Sequence, residues 1–292
     1  DNTTTTASLT QADSALGAEM PADRDPPPAD LKWAAFFKNR VIGIKDSNRR
    51  QIIIGELFEP EAFPLANVFT IPFPEGDKGT GMKARGDLFF IFGTSTIYIM
   101  VGDSPFNFTV RQTYADEGFV SQWVVIEVEN VIMGPTRFGF QAFDGANAKV
   151  ISLEIEPMLR DQIDLTKLDT IAGAYDVENR LARWACPVSA TFGTRKEFCF
   201  DLFRRGWTTT TRKIAQYIPW RGSPDKGELY TGDPDNGFVW QENSGTSDNA
   251  ADITAKYRTK SFNLNQPRLF KRFWHLFIDF KPSSGTLAIE VL

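Results

Sequence analysis

Short apolar runs, set in pairs and repeated along the chain, restrict the fold of this sequence more than any other feature. In the first pair Arg40-Val41-Ile42-Gly43-Ile44 is followed by Asp46-Ser47-Asn48 and then by Gln51-Ile52-Ile53-Ile54-Gly55-Glu56. The second comprises Asp87-Leu88-Phe89-Phe90-Ile91-Phe92, a Gly93-Thr94 turn and Ser95-Thr96-Ile97-Tyr98-Ile99-Met100. The third joins Asn130-Val131-Ile132-Met133 to Phe138-Gly139-Phe140-Gln141-Ala142-Phe143, with Gly134-Pro135 predicted as its turn. The fourth starts at Asn179-Arg180-Leu181 and runs through Phe198-Cys199-Phe200-Asp201-Leu202. The fifth is Gly227-Glu228-Leu229-Tyr230, then Asp233-Pro234-Asp235-Asn236-Gly237, then Phe238-Val239-Trp240. The aliphatic residue near the start of each pair (Val41, Leu88, Val131, Leu181, Leu229) recurs at intervals of 43 to 50 residues. Four-stranded propeller blades repeat at roughly 40–50 residues. A small twisted sheet cannot bury both faces by itself, and packing several around an axis covers them without long free edges. The expected fold is all-β: a β-propeller-like repeat domain of five or six blades.

Composition agrees. The chain has 25 Phe, 7 Trp and 6 Tyr, residues enriched in strands. Only Met158 to Leu168 suggests a loop or short helix between blades. Residues 1–30 read as an extended arm, with a polar Thr3–Thr6 tract and a stiff Pro26-Pro27-Pro28 stretch that cannot join a sheet. The propeller-like domain is expected over 31–248. From 249 to 292 the pattern becomes that of a β-sandwich module cut short: Ile253–Lys260 alternates, and Arg272–Phe280 and Gly285–Leu292 form a hairpin around Pro282-Ser283-Ser284. The chain begins at Asp1 and stops within a strand-like run, so the natural product is expected to be longer.

With 37 acidic and 32 basic residues the net charge is −5. Affinity for nucleic acid comes mainly from cations on phosphates, so a tight nucleic-acid grip is not expected, although DNA sliding past such a surface is compatible with it. No apolar run of about 18 residues suggests a membrane span. The two cysteines, Cys186 and Cys199, are read as buried small apolar residues rather than a disulfide, and their spacing matches no common zinc pattern. His275, the only histidine, lies in a strand-like run and reads as a packed or edge residue. Asp233-Pro234-Asp235-Asn236-Gly237 has the alternating carboxylates of a calcium loop, but a hairpin turn explains it more simply; whether it binds calcium is left open. With Thr231 and Trp240 it also resembles a sialidase Asp-box carrying an insertion, itself a structural hairpin. Asp161 with Asp164, or Glu154 with Glu156, would suit a glycosidase only if set across a cleft, and they read as solvated charges. Trp123, Trp184, Trp207, Trp220 and Trp240 suit packing between blades better than a sugar platform. No catalytic, cofactor-binding or metal-ligating residue is assigned.

Asp23-Arg24-Asp25-Pro26-Pro27-Pro28, Leu31-Lys32 and Lys38-Asn39-Arg40-Val41 resemble the tail nozzle, or tail tubular, proteins of short-tailed bacteriophages. Gly55-Glu56-Leu57-Phe58-Glu59-Pro60-Glu61-Ala62-Phe63-Pro64, Arg85–Phe92 leading to Ser95–Met100, and Glu117-Gly118-Phe119-Val120-Ser121 are similar to that family as well. So are Tyr257-Arg258-Thr259-Lys260 and Lys271-Arg272-Phe273, in the module after the propeller. The resemblance spans most of residues 23–292 through pattern and spacing. It implies a structural virion protein, not an enzyme: a subunit of a homohexameric ring at the end of the tail, which closes the DNA exit channel and opens it at ejection. Implied partners are other copies of the chain, the adaptor and fibre proteins of the tail, and phage DNA in passing. The alternative is a carbohydrate-binding or carbohydrate-cleaving propeller of a host-recognition component.

Overall fold

The computed structural model describes residues 25–223 and 226–245. The chain divides into two compact units, 1–244 and 245–292, and every described strand belongs to the first. The expected sandwich module, with His275, and most of the expected arm lie outside the described residues.

The structure is all-β, as expected, and consists of five successive antiparallel sheets. Sheet one contains β1 (Leu31–Phe37), β2 (Arg40–Lys45), β3 (Gln51–Ile54) and β4 (Val68–Thr70). Sheet two contains β5 (Gly79–Arg85), β6 (Leu88–Gly93), β7 (Ile97–Val101) and β8 (Thr109–Gln112). Sheet three is built from β9 (Ile126–Val128), β10 (Val131–Pro135), β11 (Phe140–Phe143) and β12 (Ala148–Val150). Sheet four follows with β13 (Ala172–Asp176), β14 (Leu181–Pro187), β15 (Arg195–Asp201) and β16 (Gly206–Thr210). Sheet five has β17 (Gln216–Ser223), β18 (Lys226–Gly232) and β19 (Val239–Gln241). Strands pair in chain order within every sheet, so each is a meander. The residues that mark the sequence repeat all fall in second strands.

The apolar runs are continuous because the middle strands are buried on both faces. In β6, Phe89 and Ile91 join the core shared with sheet one, while Phe90 and Phe92 join the core shared with sheet three. The neighbouring β7 divides the same way, Tyr98 and Met100 to one side and Ile97 and Ile99 to the other. Successive side chains on a strand point to opposite faces, so a strand between two apolar neighbours must be apolar at every position. Edge-on ring contacts seal these layers, among them Phe90 with Phe143 at 5.6 Å and Phe92 with Phe119 at 5.0 Å.

One turn departs from expectation. Gly134 and Pro135 lie in β10, paired with Gln141 and Phe140. The turn is Thr136–Gly139, where the Thr136 amide donates to the Gly139 carbonyl at 2.6 Å and Gly139 takes φ +153°. Gly134 serves packing instead: a Cβ there would stand 2.9 Å from the Phe119 ring. Between sheets three and four, the segment anticipated as a loop or short helix holds α1 (Glu156–Gln162), flanked by short 3-10 segments.

Hydrogen bonds tie the sheets to one another and to the segments between them. Thr80 Oγ1 donates to Phe119 O at 2.6 Å, Gln122 Nε2 to Ala34 O at 3.0 Å and Trp184 Nε1 to Val124 O at 2.9 Å. Gly81 of β5 meets the backbone of Gln122 so closely that a Cβ would stand 2.7 Å from Gln122 Cα. Gly81→Ala should therefore push the strand off its neighbour and lower stability by about 1–3 kcal/mol, measurable as a reduced midpoint in chemical denaturation.

Candidate functional site

The first strands of sheets one, two and four carry small residues where they approach one another. Ala34 and Ala35 of β1, Ala84 of β5 and Gly173 of β13 line one cavity of about 500 Å³. Gln122 and Trp123, just before β9, and Gln216, Tyr217 and Pro219 of β17 complete it with Phe36, Met82, Lys83 and Val125. Two of the lining aromatics, Phe36 and Trp123, are more than half exposed. Its polar groups are one ammonium (Lys83), two amides (Gln122, Gln216) and the Tyr217 phenol, and Gln122 and Tyr217 are already hydrogen-bonded to protein. Such a lining can bind by stacking and hydrogen bonding.

The charged chemistry lies one layer out, between sheets four and five. On β14, Ala182, Trp184 and Cys186 turn towards the core shared with sheet three. The alternate residue, Arg183, is buried and bonds to the fifth sheet. Its guanidinium donates Nε to Glu197 Oε1 at 2.7 Å, Nη1 to Asp176 Oδ2 at 3.3 Å and Nη2 to Glu242 Oε2 at 2.8 Å. Arg212 forks onto Glu242, with Nη1 at 2.6 Å from Oε2 and Nη2 at 2.5 Å from Oε1. Tyr217 and Thr210 donate hydroxyls to Glu197 at 2.8 and 2.9 Å, and Thr231 donates to Glu242 at 2.8 Å. Asn243 and Asn179 supply further donors to Asp176.

This saturation shows in the proton affinities. Burial favours the neutral acid of Glu242, but the bonds from Arg212 and the charge of Arg183 prevail and hold its pKa down to about 2. Burial also opposes the Arg183 charge, and Glu197 and Glu242 more than restore it, raising its pKa above the usual value. Burial and the adjacent Glu197 push the Tyr217 phenol well up. Each carboxylate thus has cations or hydroxyls on its oxygens, and the cluster works as a clamp between two sheets rather than a proton-transfer centre.

Sequence reasoning did not single out Asp176, Arg183, Glu197, Arg212 or Tyr217. A signal for two of them was present: Arg183 interrupts an apolar run and Glu197 directly precedes one, opposite charges on adjacent strands.

The residues considered from sequence do not gather into one site. Cys186 and Cys199 are free and buried, and burial pushes the Cys199 thiol up to about 12 and Cys186 higher still, so neither is a thiolate at neutral pH. In the 233–237 loop, Asp233 Oδ1 accepts from the amides of Asp235 at 2.8 Å and Asn236 at 3.3 Å, while Asp235 pairs with Lys213. Gly237 completes it at φ +68°; this is a turn held by its own side chains. Among the described residues no three His, Cys, Asp or Glu gather as a metal-binding group. Asp164 caps a 3-10 turn through the Thr166 amide at 3.0 Å, and Asp161 and Glu156 each lie 3.6 Å from Arg160. Trp184 and Trp207 pack on Phe140 of sheet three at 4.8 and 4.9 Å, as expected of aromatics between sheets. Trp123 and Trp220 do not; both are over half exposed.

No protein-family model matches the chain, and no curated protein matches it. Among solved structures it is similar to the extracellular domain of a hybrid two-component system of B. thetaiotaomicron, at 10% identity and a TM-score of 0.45, over 72% of this chain and 27% of that one. The N-terminal domain of Nup159 is similar at 12% identity and a TM-score of 0.42, over 73% of this chain and 60% of that one. The chain therefore spans less than two thirds of either protein, and likeness at this level carries no argument about function.

The clamp predicts an acid limb in the stability profile. Glu242 titrates near 2 when folded, against an ordinary value of 4.5, so its stabilising contribution is complete above about pH 4.5 and is lost as pH falls towards 2. That contribution is on the order of 2–3 kcal/mol, and Glu242→Gln should flatten the fall in melting temperature over this window. Arg183→Met, which strands Glu197 among buried groups, should cost about 3–5 kcal/mol at neutral pH by denaturant titration.

Proposed function

We propose that this chain is a structural virion protein, a subunit of the tail nozzle of a short-tailed phage. Hexameric rings of it close the DNA exit channel and open it at ejection. The observation that carries this reading is where the polar chemistry goes. Buried charges are consumed in holding sheets together, while the cavity at the first strands has neither a paired acid and base nor an activated nucleophile. A propeller-like set of sheets clamped in this way suits a rigid ring component. The sequence resemblance to nozzle proteins supplies the place in the tail, with adaptor and fibre proteins as neighbours. The mildly acidic surface suits DNA that must pass without sticking. Among the described residues no helix is long and apolar enough to cross a membrane. Negative-stain electron microscopy of the purified chain should show six-fold rings, and antibody labelling should place it on virion tails. A monomer at every concentration, absent from virions, would sink the proposal.

A second reading, a carbohydrate-binding component of host recognition, is favoured by one observation: the exposed Phe36 and Trp123 rings on the cavity. Aromatic faces with nearby amides are a common setting for sugar rings. This reading predicts saturable binding to host surface glycan that Trp123→Ala weakens at least about tenfold by calorimetry. An unchanged affinity in that variant, or no binding to any host glycan, removes it.

A further inference from the structure

Two unlike patches lie on turns that share a position within their sheets. In a meander the first-to-second and third-to-fourth turns fall at the same end, because strand direction alternates. At that end of sheets one and two, the turns expose Leu57, Phe58, Leu65 and Phe106, with Phe58 72% and Phe106 100% exposed. Exposed carboxylates, Glu61 and Asp103, lie in the same loops. Lys38 of one first turn pairs with Asp87 of the next, which ties these two sheet ends together. On sheet four the corresponding end is cationic on balance, with three exposed arginines against the exposed Glu178, although Arg204 also pairs with Asp201 at 3.5 Å. The hairpin tip there presents Phe203, 81% exposed, flanked by exposed Arg204 and Arg205. Asp201 shapes it by accepting from the Phe203 and Arg204 amides at 2.9 and 2.8 Å, and the Leu202 amide reaches the carbonyl of a third exposed arginine, Arg180, at 3.2 Å.

Phe58 is also held in a left-handed conformation, at φ +61°, by its amide donating to Asn39 O at 2.9 Å. A bulky aromatic there costs of order 1 kcal/mol or more, and such strain tends to persist at functional positions. Here it thrusts an apolar ring into solvent.

Resting on the ring reading above, we propose that these patches form the contact between neighbouring copies of this chain. The Leu57, Phe58, Leu65 and Phe106 surface of one copy meets the Phe203 hairpin of the next, with Glu61 and Asp103 facing Arg204 and Arg205. The two surfaces differ and sit on different sheets, so the contact is heterologous and repeats around an axis until it closes. Opposite charges around apolar rings fix the pairing and disfavour contact of either patch with itself.

The test uses the full chain in sedimentation velocity over a range of concentrations. Two charge-reversed forms are made, Glu61→Arg with Asp103→Arg, and Arg204→Glu with Arg205→Glu. Each alone should associate at least about tenfold more weakly than the natural chain, with an unchanged melting temperature. An equimolar mixture should associate again, since each reversed patch then faces an opposite charge. Phe58→Gly, which relieves the backbone strain, should keep or raise the melting temperature while weakening association. Rings that survive all three changes would overturn this interface and leave the ring reading standing. A natural chain that never associates would overturn both. Association that follows the predicted pattern, in a protein absent from virions, would support the interface and remove the nozzle assignment.

Discussion

Burial of the middle strands on both faces is the constraint on which the rest of this structure depends. A four-stranded meander has two faces, and one sheet alone leaves both wet. Setting sheets in succession covers both, and the alternation of side chains then divides each strand between two neighbours. Phe89 and Ile91 serve one core while Phe90 and Phe92 serve the next, so a single strand couples three sheets. Loss of any middle strand would uncover apolar surface on both sides of it.

The same alternation accounts for the exception. Between sheets four and five the core is small, made of Ala172, Ala174, Ala185, Ile214, Tyr217 and Leu229. The inward positions that large apolar residues fill elsewhere are occupied by Arg183 and Glu197. An isolated buried charge would be prohibitive, but five charged groups with hydroxyl donors around them leave the carboxylates well bonded. Such a clamp gains less from burial than a Phe-rich layer and more from geometry, because Arg183 must reach three carboxylates at once. It makes the seating of the fifth sheet dependent on pH, which the apolar layers are not.

Buried polar chemistry and exposed surface are thereby separated. Small residues on three of the first strands line a cavity, the buried ionic side chains hold sheets four and five together, and the outer turns carry exposed Phe, Leu and Arg. Groups left for contact with other molecules are apolar rings and surface charges, the usual material of protein interfaces.

The sequence by itself determined the class of fold, the repeat and the second and third strands of the first three sheets, since strands buried on both faces must be written as largely apolar runs. It also made the 233–237 turn and the buried thiols legible, as turn chemistry and cysteine burial are local properties. First strands such as Gly79–Arg85 and Ala172–Asp176 left little trace, because close approach selects Gly and Ala, which carry no periodic signal. Short fourth strands such as Thr109–Gln112 lie at sheet edges and read as loops. Tertiary structure alone decided that Gly134-Pro135 is strand rather than turn, since the space claimed by the Phe119 ring comes from a distant segment. It likewise decided that Trp184 and Trp207 are core while Trp123 and Trp220 are surface. The clamp belongs to the same class: its members are spread from Asp176 to Glu242, and charge pairing between sheets depends on distances in space that no local pattern encodes.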